Sequence, residues 1–359
     1  MNRIITTTMA LALLAGACRG EGDTARTDTA AAPAGSTAGG SAAGRIYVSN
    51  EDGNSISVID AATDSVINEI FVGKRPRGIR LSKDGRILYV AVSGSPKAPP
   101  GTDESTLPPP DRAADGIALL DVASGRVTRT LESGNDPEMF DLSADGKMLY
   151  VSNEDAAKAS VVDIESGRIV TSMAVGGEPE GVTTSPSGDA VYVTSEEGHE
   201  IAVIDTRSNT VTARIPTGRR PRSIIFTPDG SKAYVPNEVG ASVTVIDARQ
   251  HRALREIPIS GERMRPMGSA ITADGSRVFV TTGRGGTVAV IDTRSDSVIA
   301  QWRAGERPWG VDLSADGRKL YTANGPSNDV SVVDTDSMKV IKKIPAGELP
   351  WGVAIGKAP

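Results

Sequence analysis

Charged and aromatic side chains recur at two positions of a short segment, Gly-x-x-Pro-x-Gly or a close variant, that the chain repeats about every 42 residues. Arginine offers a rigid fork that fits carboxylate or phosphate groups, and tryptophan offers a flat apolar face. The set therefore predicts recognition of an anion or of a charged partner. In chain order the pairs that flank the proline are Arg75 and Arg77, Asp136 and Glu138, Glu178 and Glu180, Arg220 and Arg222, Arg265 and Met267, Arg307 and Trp309, and Leu349 and Trp351.

Motifs that would indicate catalysis do not occur. The chain has no Gly-x-Ser-x-Gly, no His-Glu-x-x-His and no phosphate-binding loop. Its two histidines, His199 and His251, lie in different repeats without a spaced partner. Oxygen-bearing residues such as Asn50 and Glu154 could coordinate calcium, but no Asp-x-Asp-x-Asp-Gly loop is present. We therefore predict no catalytic residue, no metal and no cofactor.

A repeat of about forty residues organises the chain from Arg45 onward. An aspartate ends the third apolar run of each copy, and the successive spacings are 61, 42, 42, 42, 45 and 42 residues. Four short apolar runs per copy at that period predict the blades of a β-propeller. All six tyrosines fall on the second run, where we expect them to wedge between neighbouring sheets. The aspartates are Asp60, Asp121, Asp163, Asp205, Asp247, Asp292 and Asp334.

The ends of the repeat array predict how the ring closes. A Ser/Thr-x-Asp-Gly turn joins the first and second apolar runs in six copies, one of which is the variant Ser187-Gly188. Its glycine supplies the positive φ that such a hairpin needs. The first copy starts at its second run, and the last copy ends after a first run. We therefore predict an all-β, seven-bladed β-propeller of four-stranded antiparallel blades over residues 45–359. Its C-terminal strand would join the N-terminal blade and close the ring.

In such a ring the first strands line a central channel, and the repeated pairs surround one mouth of it. Blades five, six, seven, one and two carry arginines and two tryptophans, whereas blades three and four are acidic. Two interpretations stay open: a mouth that binds an anion or a partner, and an Arg–Glu network that only neutralises itself. The candidate residues for ligand binding are Arg75, Arg77, Glu138, Glu180, Arg220, Arg222, Arg265, Arg307, Trp309 and Trp351.

Residues 1–17 have the pattern of an export signal, with Arg3 before an apolar run and small residues at the end. The stretch Leu14-Ala15-Gly16-Ala17-Cys18 resembles a bacterial lipobox, which implies lipidation of Cys18 and a membrane anchor. It departs from that pattern at Ala15, where leucine is commoner, and ordinary signal cleavage is the alternative. Residues 18–44 read as a flexible Ala/Gly/Ser/Thr linker. We expect an exported, periplasmic or cell-envelope protein.

Composition sets further bounds on the 359-residue chain. A formal charge of −6 disfavours nucleic-acid binding, and the single cysteine excludes an intramolecular disulfide. One repeat is 19 residues longer than its neighbours because of a Pro-rich insertion at 94–115. That insertion could be a harmless surface loop, or a lid or partner-docking arm. We expect a monomer.

The repeated Tyr-Val-x-Asn, x-Val-Ile-Asp and Gly-x-x-Pro-x-Gly blocks resemble the YVTN family of β-propellers, which includes YncE-like exported proteins. The resemblance covers residues 45–356 and implies the propeller fold. The related haem d1 propellers use histidines that this chain does not supply, and no lactonase motif can be carried over. We predict a non-catalytic propeller that binds a small anionic ligand or an exported protein through the mouth face. The alternative is a lactonase-like hydrolase or a redox-accessory propeller enzyme.

Overall fold

A computed structural model describes residues 44–97 and 106–356. The expectations for residues 1–17, for the linker up to residue 43 and for Cys18 lie outside these ranges. Within them the chain forms seven four-stranded antiparallel sheets arranged as a ring, which confirms the predicted seven-bladed β-propeller. In the same two ranges, no helix has the length and apolar character needed to cross a bilayer.

Each blade is a meander whose first strand lies at the centre and whose fourth lies at the periphery. Blade 1 combines β1 (Arg45–Asn50), β2 (Ser55–Asp60) and β3 (Ser65–Phe71) with the last strand, β28 (Pro350–Ile355). Blade 2 comprises β4 (Ile79–Leu81), β5 (Ile87–Val92), β6 (Gly116–Asp121) and β7 (Arg126–Leu131). Blade 3 comprises β8 (Pro137–Leu142), β9 (Met148–Asn153), β10 (Lys158–Asp163) and β11 (Arg168–Ala174).

The remaining four blades follow the same order. Blade 4 has β12 (Pro179–Thr184), β13 (Ala190–Ser195), β14 (Glu200–Asp205) and β15 (Thr210–Pro216). Blade 5 has β16 (Ile225–Phe226), β17 (Lys232–Asn237), β18 (Ser242–Asp247) and β19 (Arg252–Pro258). Blade 6 has β20 (Ser269–Ile271), β21 (Arg277–Thr281), β22 (Thr287–Asp292) and β23 (Ser297–Arg303). Blade 7 has β24 (Pro308–Leu313), β25 (Lys319–Asn324), β26 (Asp329–Asp334) and β27 (Lys339–Pro345).

The ring closes through β28, as the repeat count predicts. This strand pairs antiparallel with β1, in a register that sets Ile355 opposite Ile46 and Val353 opposite Val48. Residues from the two ends of the described chain therefore share one sheet. The closure gives blade 1 the same four-stranded order as the other blades and leaves its inner strand paired.

The second and third strands are almost wholly buried, and the outer strands are exposed. Strand β2, for example, is buried from Ser55 to Ile59, whereas β3 leaves Ile67 and Phe71 exposed. The core consists of seven apolar clusters, each built from side chains of adjacent blades. Since each cluster spans a blade–blade boundary, packing between sheets stabilises the ring.

The tyrosines of the second strands hold neighbouring blades together. Their rings are buried, and four hydroxyls reach a residue with positive φ in the outer hairpin of the next blade. This agrees with the expectation that they wedge between sheets. The pairs are Tyr150 with Asn209 at 3.1 Å, Tyr192 with His251 at 2.7 Å, Tyr234 with Asp296 at 2.6 Å and Tyr321 with Asp64 at 2.9 Å.

Aspartates and glycines shape the hairpins as the sequence predicts. In the turn at Asp84-Gly85, the Asp84 carboxylate accepts hydrogen bonds from the Ser82 hydroxyl and the Arg86 amide, and Gly85 has φ of 67°. Asp60, at the end of a third strand, accepts hydrogen bonds from two amides of the following turn. These local bonds satisfy backbone donors where the strands end.

Candidate functional site

The repeated pairs form two tiers around one end of the channel, the mouth face. Six residues that precede the proline have positive φ and are here named the rim residues; they are Arg75, Asp136, Glu178, Arg220, Arg307 and Leu349, with φ of 42° to 59°. Two residues later the side chains form an inner tier: Arg77, Glu138, Glu180, Arg222, Met267, Trp309 and Trp351. Blade 6 has a longer loop, and there Arg263 takes the positive φ instead of Arg265.

Hydroxyl groups from the second strands hold the inner tier in place. Thr194 of blade 4 accepts a hydrogen bond from the Gly181 amide of its own blade and donates one to the Arg222 carbonyl of blade 5. Ser49 bridges the Gly352 amide and the Arg77 carbonyl in the same way. Ser152 and Thr281 repeat the arrangement for the Glu180 and Trp309 carbonyls. The backbone of each of these mouth residues is thereby fixed by the preceding blade.

Glycine follows the inner-tier residue in five blades because the inner strands approach each other closely there. A Cβ atom at any of these positions would overlap backbone atoms of the next inner strand. The inner tier therefore sits at the narrowest contact between blades. The five glycines are Gly78, Gly181, Gly268, Gly310 and Gly352.

Arg222 is neutralised by buried carboxylates. It forms ion pairs with Glu196 of the second-to-third-strand loop in blade 4, with Glu180 at 2.5 Å and with Glu238 at 3.6 Å. Its side chain is 9% exposed, and burial lowers its pKa, but the attraction of Glu180 and Glu196 outweighs burial and raises the pKa overall. The neighbouring Arg220 pairs with Glu196 as well, at the rim.

Arg77 occupies the mirror position on the other side of the acidic blades. Its guanidinium pairs with Asp136 and Glu138 of blade 3, and with Glu154 at 3.2 Å. Burial lowers its pKa, and Glu138 and Asp136 raise it well above the usual value. Arg75, above it, bonds Glu51 at 3.1 Å. On this side of the mouth, the sequence interpretation of a self-neutralising Arg–Glu network describes the contacts.

The acidic blades hold more carboxylates than these arginines neutralise. Burial, followed by the charge of Glu138, raises the pKa of Glu154 to about 7. Burial and a hydrogen bond with Glu196 raise the pKa of Glu178 to about 7. Burial also raises the pKa of Glu180 well above its usual value. Part of this cluster is therefore protonated at neutral pH.

The opposite side of the mouth, in blades 6 and 7, has a different electrostatic character. The Arg307 guanidinium lies 4.5 Å from the centroid of the Trp309 ring and forms no ion pair with any residue that the structure describes. Its pKa is lowered, first by burial and then by the nearby charge of Arg284. Arg265 and Arg284 likewise have no carboxylate within ion-pair distance among residues 44–97 and 106–356. This group of arginines, Arg265, Arg284 and Arg307, is here named the free arginine cluster.

Two tryptophans border the channel beneath this cluster. The ring centroids of Trp309 and Trp351 lie 6.0 Å apart with 44° between their planes. Both are half-buried, and Trp309 Nε1 is buried without a hydrogen-bond acceptor in the described part of the chain. They border a cavity of about 470 Å³ that follows the inner strands through the ring. This volume falls within the usual range for small-molecule sites.

The described flanks of the 94–115 insertion contact the mouth face. The Ser95 carbonyl accepts a hydrogen bond from Arg75 at 2.6 Å, and Arg112 pairs with Asp155 of blade 3 at 2.6 Å. Lys97 pairs with Asp52 of blade 1 at 2.6 Å. The insertion therefore leaves and rejoins the propeller above blades 1 to 3, on the side of the mouth that holds Arg77.

The histidines and asparagines have local structural roles. His199 Nδ1 lies 2.7 Å from the Glu196 carbonyl oxygen in its loop, and His251 holds Tyr192. Asn153 donates to the backbone carbonyl of Ser133, whereas Asn50 donates to the hydroxyls of Ser55 and Ser57. Asn153 therefore bonds the backbone, whereas the amide group of Asn50 bonds side chains. Within residues 44–97 and 106–356, no three His, Cys, Asp or Glu side chains are grouped so as to hold a metal ion.

Sequence reasoning placed the candidate residues on one face. It did not predict which arginines pair with carboxylates and which belong to the free arginine cluster. It did not assign Glu196 and Glu154 as partners of Arg222 and Arg77, and it did not include Arg284. The hydroxyl bridges were missed as well. The sequence contains a pattern that could have predicted these bridges. A Ser or Thr follows Tyr-Val or Phe-Val in four repeats, and these four residues are Ser49, Ser152, Thr194 and Thr281.

Two family models match separate parts of the chain. The Choice-of-anchor I domain matches residues 42–218, and the Cytochrome D1 heme domain matches residues 235–353. Neither match covers half of the chain. A curated relative, Antigen Lp49 of Leptospira interrogans, is 30% identical over 114 residues, which are 32% of this chain and 24% of that protein. The chain thus matches about a quarter of the length of this relative.

Solved structures share the fold at low sequence identity. Hydrazine synthase of Kuenenia stuttgartiensis superposes with a TM-score of 0.70 at 22% identity, over 83% of this chain and 94% of that chain. A candidate 6-phosphogluconolactonase of Bacteroides fragilis gives a TM-score of 0.71 at 15% identity, over 86% and 97%. At these identities the likeness shows the propeller fold alone.

Proposed function

We propose that this chain is a non-catalytic binding protein of the YVTN type, and that it recognises an anionic ligand at the free arginine cluster of Arg265, Arg284 and Arg307. One observation carries this proposal. Arg307 is half-buried, lies against Trp309 and has no carboxylate partner among residues 44–97 and 106–356, although the other half of the same mouth contains an excess of carboxylates. A partly desolvated guanidinium without a counter-charge is a favourable site for carboxylate or phosphate.

The position of the cluster supports binding of a dissolved ligand. Arg284 is exposed, Arg307 lies against Trp309, and Trp309 lines the 470 Å³ cavity. Arginines around a concave opening concentrate anions from solution. The acidic half of the mouth would repel an anion less than a bare acidic surface, because Arg77 and Arg222 offset part of its charge.

Intrinsic fluorescence tests this proposal, because two of the three tryptophans of the chain border the mouth. At constant ionic strength, iodide should quench the emission more strongly than caesium, and added acetate should protect against iodide. Arg307→Gln should weaken both effects severalfold. The matched control is Arg294→Gln, an exposed arginine in a hairpin on the opposite face. Equal iodide quenching in the wild type and in Arg307→Gln would overturn the proposal.

An enzyme is the second candidate, and two half-buried carboxylates with raised pKa values favour it. Glu154 and Glu178, with pKa values of about 7, could exchange protons at neutral pH as a general acid or base does. The structural relatives include hydrazine synthase and a candidate lactonase. Release of acid from glucono-δ-lactone, followed by a pH indicator, tests this function. Hydrolysis that is lost in Glu154→Gln would support the enzyme, and a rate equal to buffer alone would exclude this substrate.

A further inference from the structure

Blade 6 brings more arginines to the mouth face than the proposed anion site uses. The spacing that ends at its third-strand aspartate is 45 residues, against 42 for four others, and the additional residues lengthen the loop before β20, which carries Arg263. Arg303 ends β23, and a Cβ atom on Gly286 would lie 3.3 Å from its guanidinium. Arg263 and Arg303 are exposed and form no ion pair with any residue in the described ranges.

We propose that the ligand of this region is a small dissolved anion with at least two carboxylate or phosphate groups. The inference rests on the proposed function and adds the chemical class of the ligand. The site then comprises arginines of blades 6 and 7, here named the five-arginine site: Arg263, Arg265, Arg284, Arg303 and Arg307.

Hydrogen bonds join the three loops that carry these arginines. The Arg265 amide donates to the Thr282 carbonyl at 3.1 Å, which connects the long loop before β20 to the turn between β21 and β22. The Ala304 amide donates to the Gly286 carbonyl at 3.0 Å, which connects the same turn to the loop before β24. Because backbone bonds fix the loops to one another, a ligand could contact several arginines without first ordering the loops.

Met264 anchors the long loop of blade 6. Its side chain is buried in the apolar cluster between blades 5 and 6, and the Gln301 side-chain nitrogen lies 3.5 Å from its sulfur. A Cβ atom on Gly261 or on Gly285 would lie 2.8 or 2.5 Å from the Met264 methyl, so glycine at both positions leaves room for it. The inward side chain of Met264 thus fixes the loop, while the arginines on either side of it remain accessible to solvent.

These loops hold more positive than negative charge. Their carboxylates, Glu262 and Glu306, are exposed and form no ion pair within the part of the chain that the structure describes. Burial and then the charge of Arg284 lower the pKa of Arg307, which indicates that like charges lie near each other. An anion with one charge offsets one guanidinium, whereas a multiply charged anion relieves the repulsion among several and can form more charge-assisted hydrogen bonds.

Three probes vary the number of anionic groups: acetate, citrate and diphosphate, each measured at constant ionic strength by calorimetry and by protection against iodide quenching. Citrate and diphosphate should bind at least about tenfold more tightly than acetate, since each added hydrogen bond to a charged group contributes roughly a factor of ten. Citrate and diphosphate affinities that equal the acetate affinity would overturn the inference, whereas acetate protection that depends on Arg307 would still support the proposed anion site.

A lipid headgroup offers the same chemistry as a dissolved phosphate, and cosedimentation with vesicles that contain phosphatidate distinguishes the two sources. We expect binding of citrate and diphosphate in the absence of vesicles. Cosedimentation with the vesicles without any binding of citrate or diphosphate would overturn the assignment to a dissolved ligand.

Variants of the two added arginines test the extent of the site. Arg263→Gln and Arg303→Gln should each weaken citrate and diphosphate binding by at least about threefold, as expected for exposed charge pairs, and leave acetate protection unchanged. The matched control is Arg294→Gln, an exposed arginine on the opposite face, which should change neither. Thermal melting confirms that each variant is folded. Citrate and diphosphate affinities that stay at the wild-type value in both folded variants would overturn the five-arginine site.

Discussion

Arg307 and Trp309 form a cation–π pair at the mouth, with the guanidinium carbon 4.5 Å from the indole centroid. The two residues flank Pro308, and the positive φ of Arg307 brings its side chain over the ring of the residue two positions later. This contact holds the guanidinium in place without a carboxylate from the described part of the chain. The charge therefore remains available to an incoming anion, unlike that of Arg222, which Glu180 and Glu196 neutralise.

Replacing Arg307 by lysine should separate charge from geometry. Arg307→Lys keeps the positive charge but loses the planar group that stacks on Trp309, so we expect acetate to protect severalfold less against iodide quenching. The free energy of unfolding should change by less than ~2 kcal/mol, since the contact is half-buried. Arg294→Lys is the control. Full acetate protection in Arg307→Lys would show that charge alone is sufficient.

Arg222→Met should strongly destabilise the ring, and Arg220→Met should not. Arg222 is 9% exposed, and its removal leaves Glu180 and Glu196 buried without a counter-charge, which costs ~3–5 kcal/mol. Arg220 is 42% exposed, so its loss should cost ~1 kcal/mol or less. Denaturant unfolding of both variants measures the difference. Similar losses in the two variants would contradict the description of a buried network.

Stability should fall as the pH rises from 5 to 8. The pKa of Glu154 is 4.5 without the fold and about 7 within it, so the folded protein keeps a proton that the unfolded chain has released. This contribution is complete below pH 4.5 and is lost as the pH rises through 7. Glu154→Gln should remove about 2 kcal/mol of the decline. Glu165→Gln, which is exposed, is the control, and an identical pH profile for wild type and Glu154→Gln would refute the assignment.

Tyr321→Phe should weaken the contact between blades 7 and 1. The Tyr321 hydroxyl donates to Asp64 at 2.9 Å, and Asp64 also pairs with Lys319 at 2.7 Å. Loss of this bond to a charged group should cost ~1.5–3 kcal/mol. Tyr89 occupies the same repeat position, but its hydroxyl forms no hydrogen bond within the described ranges, so Tyr89→Phe should be nearly neutral. Equal melting temperatures of the two variants would contradict this role.

The propeller architecture was predictable because the same pattern of apolar runs and turns occurs in seven copies. A single apolar run such as Ile46 to Val48 could be read several ways, but seven copies at a fixed period specify a propeller. The spacing of Asp-Gly turns against the third-strand aspartates also predicted the pairing of β28 with β1. Each of these features serves every blade, which is why comparing copies within one chain revealed them.

The division of the mouth was not predictable because it depends on distances between blades. Arg77, Arg222 and Arg307 have the same residue type at related repeat positions, yet only Arg307 lacks a carboxylate partner among the described residues. The difference arises from Glu138 and Glu180 in blades 3 and 4, which reach the arginines beside them but not the opposite side of the ring. Tertiary packing determines which carboxylate pairs with which arginine. The order of the repeats in the sequence does not give these pairs directly.

The pairing of β28 with β1 also determines when the protein can finish folding. Blade 1 needs residues 350–355 beside residues 45–50, so its sheet cannot be completed until about three hundred intervening residues have been synthesised. Contacts that distant in sequence slow folding. During synthesis, β1 would present an unpaired edge to other chains, which is a site of aggregation. With this topology, the edge of β1 therefore needs protection until the last strand, β28, has been synthesised.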